Sequence, residues 1–238
     1  VASDQALLLA TRYLHVPGFE GPCRVRYELP RGWRAHHPSG ARRLAENAWE
    51  YRSFPALLDT PVVAGAFESR VRAAGAVRFH FLFLDRAVGF ERRADAFCDE
   101  VMKGAEEARA VFGAYPFEDY TFILSCSPKA SWGLEHATST TCGLGPEVFV
   151  DEQAWFDGVR VCVHELFHAW NGCRLRPAPV GRPDLLAGAF PDALWVTEGF
   201  TRYYELLLCA RAGLMPLEAF FGNVVNYHRQ LTALPAYR

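Results

Sequence analysis

Residues 164–168 read His-Glu-Leu-Phe-His. On a helix, two histidines four positions apart sit on one face about a turn apart, and this segment is predicted to lie within one. That helix is predicted to start at a capping Asp151 and to stop at Asn171-Gly172. Its two imidazoles can then ligate one metal ion. Zinc suits them, because it accepts neutral imidazole nitrogens and keeps one position for water in catalytic sites. Glu165, one step from His164, can reach such a water as a general base.

A third ligand is expected from the next helix, in Leu194-Trp-Val-Thr-Glu-Gly199. The apolar neighbours of Glu198 make its carboxylate costly to bury without a partner, and a metal ion would supply one. A solvated helix carboxylate is the alternative. Glu205 returns to within about 20° of Glu198 around the helix. It is therefore either the acceptor that orients a ligating histidine or an exposed charge.

The rest of the chain reads as α+β. Arg24–Leu29 alternates in polarity and Arg78–Leu84 is rich in aromatics, so both are predicted strands of a β-rich first part. From Phe90 to Phe112 the period changes: Phe90, Ala94, Phe97, Val101 and Ala105 share one face of an amphipathic helix that Gly113 stops. Tyr120–Ser125 is a further predicted strand, followed by a polar strand-like stretch, Trp132–Thr141. Two more helices are expected, one from Pro191-Asp192 to Gly213 and one from Pro216. A boundary near residue 86 divides a β-rich N-terminal domain, 1–86, from an α/β region, 87–238.

Composition narrows the class. Across 238 residues, 25 Lys+Arg balance 27 Asp+Glu, and no basic run supplies the footprint of a nucleic-acid binder. No apolar stretch approaches the ~18–20 residues of a membrane span. The seven cysteines are scattered without a C-x-x-C pair, which argues for small buried residues in a reducing, cytoplasmic setting rather than a disulfide framework. The chain begins at Val1 rather than Met, so an upstream signal could be missing. No feature specifies the oligomeric state.

Three segments together resemble the glycyl aminopeptidase family of zinc metallopeptidases. They are Trp132-Gly-Leu-Glu-His136, His164-Glu-Leu-Phe-His-Ala-Trp-Asn171 with Arg174-Leu-Arg-Pro177, and Leu194-Trp-Val-Thr-Glu-Gly-Phe-Thr-Arg-Tyr-Tyr204. The resemblance implies a β-rich domain followed by a thermolysin-like catalytic domain of mixed sheet and helices, commonly with a later PDZ module. It also implies one zinc ion per chain on His164, His168 and Glu198, with Glu165 as base. The expected reaction is release of N-terminal residues, glycine or alanine favoured, from peptides with a free N-terminus. Gly133-Leu-Glu-His136 is similar to a G-x-M-E-N segment of the related alanyl aminopeptidases, whose Glu binds the substrate's α-ammonium. A fixed carboxylate at the end of an edge strand would select a free amine in the same way, which makes Glu135 the candidate anchor. Gly133 would permit close backbone approach, and His136 either lines the pocket or sits on the polar face.

Trp132 departs from the glycine usual before Gly133, and its indole would narrow the pocket or block the usual substrate approach. Gly172-Cys173 likewise replaces the usual pair. An oxyanion donor is needed as well. In the related families it is a tyrosine well beyond the glutamate ligand, where this chain has Tyr203, Tyr204, Tyr227 and Tyr237. Tyr227 is the candidate among them, and a chain truncated at both ends is the other expectation. The readings that compete with an aminopeptidase are an endopeptidase with the same centre and a zinc-bearing peptide-binding module without turnover.

Overall fold

The computed structural model describes residues 4–14, 16, 18–128, 130–178 and 192–235. They form an α+β fold with three sheets. The first part supplies β1 (Gln5–Leu8), β2 (Cys23–Arg26), β3 (Arg34–His36), β4 (Arg42–Ala45), β5 (Ala48–Tyr51), the short helix α1 (Phe54–Leu58) and β6 (Val62–Gly65). Two antiparallel three-stranded sheets result, in the orders β1-β6-β3 and β2-β5-β4.

The elements that carry the candidate site follow. They are β7 (Glu68–Ala74), β8 (Val77–Phe83), α2 (Phe90–Phe112), β9 (Asp119–Ser125), β10 (Ala130–Glu135), β11 (Ser139–Leu144) and α3 (Glu152–Phe167). After them come a π-helical turn (Trp195–Gly199), α4 (Phe200–Arg211) and α5 (Leu217–Ala233). The five strands form one sheet in the order β10-β11-β9-β8-β7. Its centre is parallel (β8 with β9, β9 with β11) and its two edges are antiparallel. β7 and β8 precede residue 86 and β9 to β11 follow it, so the sheet runs across the boundary expected there.

Helix α2 has the predicted limits because its apolar stripe is continuous: Phe90, Ala94, Phe97, Val101 and Ala105 are all buried. They join Phe79, Phe81 and Phe83 of β8 and Phe122 of β9 in one core, with the rings of Phe81 and Phe122 stacked at 4.7 Å. The polar stretch 132–141 is not one strand but the hairpin β10–β11, turning at residues 136–138. Its second strand is buried at every position. Ser139, Thr140 and Thr141 look like surface residues in sequence, yet they fill a central strand, and the Thr140 hydroxyl donates to Leu134 O at 3.0 Å. Helix α3 begins as expected, the Asp151 carboxylate accepting from Ala154 N at 2.7 Å, but it stops at Phe167 rather than at Asn171. The expected start of the next helix at Pro191 lies outside the described residues. Among the described helices none is long and apolar enough to cross a membrane.

A cluster of histidines joins the first part to the large sheet. His36 of β3 meets the Thr121 hydroxyl of β9 at 3.0 Å, and its ring lies 5.0 Å from that of His80. His37 donates Nδ1–H to Pro38 O at 2.6 Å and takes the Tyr51 hydroxyl on Nε2. Burial first, and for His36 also its histidine neighbours, pushes both down from 6.5 to about 4. The unfolded chain therefore takes up protons before the folded one does. Stability should be full above about pH 6.5 and fall as pH drops toward about 4, by up to ~3 kcal/mol per histidine. Urea midpoints measured at pH 7.5 and pH 4.5 should show this loss, and His37→Gln should shrink the difference. Equal midpoints would refute it.

Candidate metal centre and peptide cleft

Helix α3 presents His164 and His168 on one face, as their spacing requires, and the wide π-helical turn brings Glu198 to both. Their Nε2 atoms lie 3.1 Å apart, and the Glu198 Oε2 atom is 3.7 Å from each. Around a tetrahedral ion with ligand bonds of ~2.0–2.2 Å, donor atoms stand roughly 3.3 Å apart, so these three groups could hold one metal ion. The proton arrangement fits too. His164 donates Nδ1–H to Glu205 Oε2 at 2.5 Å, and His168 donates Nδ1–H to the backbone oxygen of Asn171 at 2.8 Å. In the neutral tautomers this leaves both Nε2 lone pairs directed at the same point.

The charges around the centre are arranged to match. Burial disfavours a charged His164, but Glu198 and Glu205 outweigh it and raise its pKa to about 9, and His168 is raised by Glu198 in the same way. Hydrogen bonds from the two histidines pull Glu198 far below the usual carboxylate range. Glu198 is half exposed, with Trp195 and Phe200 also open to solvent, so its carboxylate is held by the histidines and not by an apolar cage as the sequence suggested. Glu205 is fully buried and accepts from Arg160 at 2.5 Å and Arg202 at 2.8 Å as well as from His164. Burial works to raise its pKa, but these partners carry it below the ordinary value.

Glu165 sits beside the centre. Burial raises its pKa to about 7 against the pull of the two histidines, and its Oε2 atom has no partner among the described residues. Its carboxylate lies against the backbone of Gly133, where a Cβ would overlap it. The missing side chain thus makes room for Glu165 itself. Glu135, two residues along β10 and on the same face, places an oxygen within 4.8 Å of donor atoms of Glu165 and His168.

The other expected residues lie elsewhere. Trp132 alternates to the opposite face of β10, where its indole covers Gly143, so it neither narrows nor blocks the space beside Glu165. Tyr227 lies on α5 and lines a cavity of about 590 Å³ with Trp155 and Arg160, which none of His164, Glu165, His168 and Glu198 borders. Tyr237 is outside the described residues. His136 is buried at the hairpin turn with Nδ1 on Asp59 Oδ1 at 3.1 Å, next to the site and not within it.

One residue escaped sequence reasoning as more than a helix stop. The buried Asn171 amide donates to Val196 O and Thr197 O and contacts the Thr201 hydroxyl, each at 3.0 Å, while its backbone orients His168. It therefore ties the end of α3 to the π-helical turn that carries Glu198. Gly172 follows at φ +125°, a conformation open to glycine, and a Cβ there would press on Thr197 and His168 at 3.1 and 3.3 Å. Arg160 was also missed. The signal for it was its place one turn before His164 on the same helix.

The α+β fold, with His164, His168 and Glu198 converging on one point, is similar to that of metallopeptidases in comparison with known proteins. Residues 157–237 match the family model described as M61 glycyl aminopeptidase, a span holding His164, Glu165, His168, Glu198 and Glu205, which bears out the resemblance. A search of curated proteins finds no match. Among solved structures, the aminopeptidase N family protein from Idiomarina loihiensis is similar with a TM-score of 0.81 at 20% identity, over 91% of this chain and 39% of that one. A glutamate-to-alanine variant of an M1 zinc metallopeptidase from Deinococcus radiodurans gives 0.59 at 21%, over 91% and 46%. Such a variant with a Tyr-Ser-Ala substrate bound gives 0.52 at 20%, over 91% and 45%. The chain spans less than half the length of these structures, and at such identities they show the shared fold.

Asn171→Ala should lower the affinity of the His164–His168–Glu198 group for an added divalent metal ion by about ten- to a hundredfold, as loss of groups that orient metal ligands does. Chelator competition would measure this, with circular dichroism expected to show the helices intact. Unchanged affinity would mean that Asn171 holds only the chain and not Glu198.

Proposed function

We propose that this chain carries the catalytic centre of a zinc aminopeptidase, which removes the first residue from peptides with a free N-terminus. The observation that carries the reading is the convergence of Glu135 with Glu165 and His168, an acid beyond those a metal site and its base require. The family match and the metallopeptidase fold support the peptidase class. Two imidazoles and a carboxylate form the donor set of catalytic zinc, with a position left for water.

Strand β10 is an edge of the large sheet, and an extended peptide can add to it by backbone hydrogen bonds. Glu135 then pairs with the terminal ammonium and fixes which bond lies beside Glu165. Zinc, when bound, supplies a Lewis acid for the scissile carbonyl and lowers the pKa of water. Glu165, with a pKa near 7, is suited to take the proton of the attacking water and hand it to the leaving amine. The family resemblance adds an expected preference for glycine or alanine, for which the orientation of Trp132 supplies no steric reason.

Release of the first residue from a glycine-initiated peptide by the zinc-loaded protein tests this. Glu165→Gln should reduce kcat by about 10²–10⁴-fold, the usual worth of a general base. Acetylating the peptide's amine should abolish cleavage. Cleavage that survives acetylation would establish an endopeptidase, and binding without turnover a peptide-binding module. Gly133→Ala should also cost at least about a hundredfold in kcat by displacing the Glu165 carboxylate, with zinc content unchanged.

A further inference from the structure

Glu135 can select the first peptide bond only if its distance from the metal centre is fixed. An extended peptide advances ~3.3 Å per residue, so slack of that size at the anchor would bring a second bond within reach of the base. Yet β10 is an edge strand paired only to β11, and Glu135 is its last residue. The turn that follows closes on itself through His136 N, which donates to Ser139 O at 2.9 Å. That bond fixes the two strands to each other and not to the metal centre. Whatever holds the anchor at a set distance must come from outside the hairpin.

Two side chains from distant parts of the sequence meet that need, and both act on Ala137, two residues past Glu135. Asp59, at the end of α1, accepts from Ala137 N on Oδ2 at 3.0 Å and from His136 Nδ1 on Oδ1 at 3.1 Å. Arg174, beyond α3, donates Nη1–H to Ala137 O at 3.0 Å and to Ala169 O at 2.6 Å, and Nη2–H to Pro116 O at 2.8 Å. Ala169 follows His168 directly. One guanidinium thus spans the interval between the turn that carries the anchor and the backbone that carries a metal-ligating histidine. A charged, planar fork suits this task, because its hydrogen bonds are strong and its donors keep fixed angles to one another. The Ala137 peptide is gripped at both its N–H and its carbonyl, and Glu135 stands too close along the strand to move independently of it.

We propose that Arg174 and Asp59 are positioning residues for Glu135, clamping the turn at Ala137 so that the anchor keeps its distance from His168. The proposal rests on Glu135 as the amine anchor, and the two can be tested separately. Zinc-loaded Glu165→Gln protein, which should bind peptide without consuming it, is titrated calorimetrically with triglycine and with N-acetyltriglycine. The free amine should bind about ten- to a hundredfold more tightly, the range of hydrogen bonds to a charged group. Arg174→Met and Arg174→Lys should each weaken triglycine about tenfold and leave the acetylated peptide unchanged. Charge alone predicts the opposite sign, since removing a cation near Glu135 would favour an ammonium. Asp59→Ala should also lose the free-amine advantage, and Asp59→Asn, which keeps an acceptor without the charge, should lose less. Both positions are partly open to solvent, so the fold should survive, and chelator competition should find metal affinity unaltered. With Glu135→Gln added, none of these changes should weaken triglycine further. Arg174 variants that bind triglycine as well as before, or that lose both peptides equally, would overturn the clamp and leave the anchor standing. A free-amine advantage that is absent at the outset, or that survives Glu135→Gln, would overturn the anchor and the clamp with it.

Discussion

Two imidazole nitrogens 3.1 Å apart, with the ring protons held on the opposite sides, set the terms for everything around them. Lone pairs at that distance repel unless a cation or a proton lies between them. The chain surrounds them with groups that make a cation welcome. Glu198 faces the pair, Glu205 and the Asn171 backbone fix the two rings, and Arg160 and Arg202 in turn hold Glu205. Such a buried ion network contributes little stability of its own, since desolvation offsets most of the attraction. What it provides is orientation, and the long helix α2 and the large sheet give it a rigid base.

Much of this was legible in the sequence because it follows periods. The stripe from Phe90 to Ala105 defined α2, the four-residue interval placed His164 with His168, and the helical angle offered Glu205 either as an acceptor behind a ligand or as an exposed charge. What was not legible depends on how elements meet. Ser139, Thr140 and Thr141 concealed a central strand because their polarity reads as surface, although all three are buried and the Thr140 hydroxyl finds its partner, Leu134 O, only in the folded sheet. The side of β10 that Trp132 takes, over Gly143, was not legible because the register of a short strand between irregular segments is not written in its own residues. Asn171 resembled a helix stop, and its role appears only once Val196 and Thr197 arrive from more than twenty residues away.

The β10–β11 hairpin is where the two parts of the chain are joined at the site. Asp59, at the end of α1, accepts from His136 and Ala137, and Arg174, just past α3, donates to Ala137 O. The turn is thus pinned from both sides, one residue after Glu135. Edge strands are often mobile. This one is anchored where its carboxylate must hold position relative to a base on another element, and Gly133 supplies the clearance that lets them approach.

The guanidiniums on Glu205 also bear on the electronic character of the centre. A bare carboxylate behind a ligating imidazole draws its proton and makes the ring a stronger electron donor, which weakens the acidity of the ion it binds. Here Arg160 and Arg202 share that carboxylate's charge, so His164 is held in place with less electron donation than an unshielded acid would impose. With two neutral imidazoles and Glu198 as the sole anionic ligand, a divalent ion would retain a formal charge of about plus one. The arrangement behind the histidine would thus keep a bound metal ion electrophilic while it keeps the ring still.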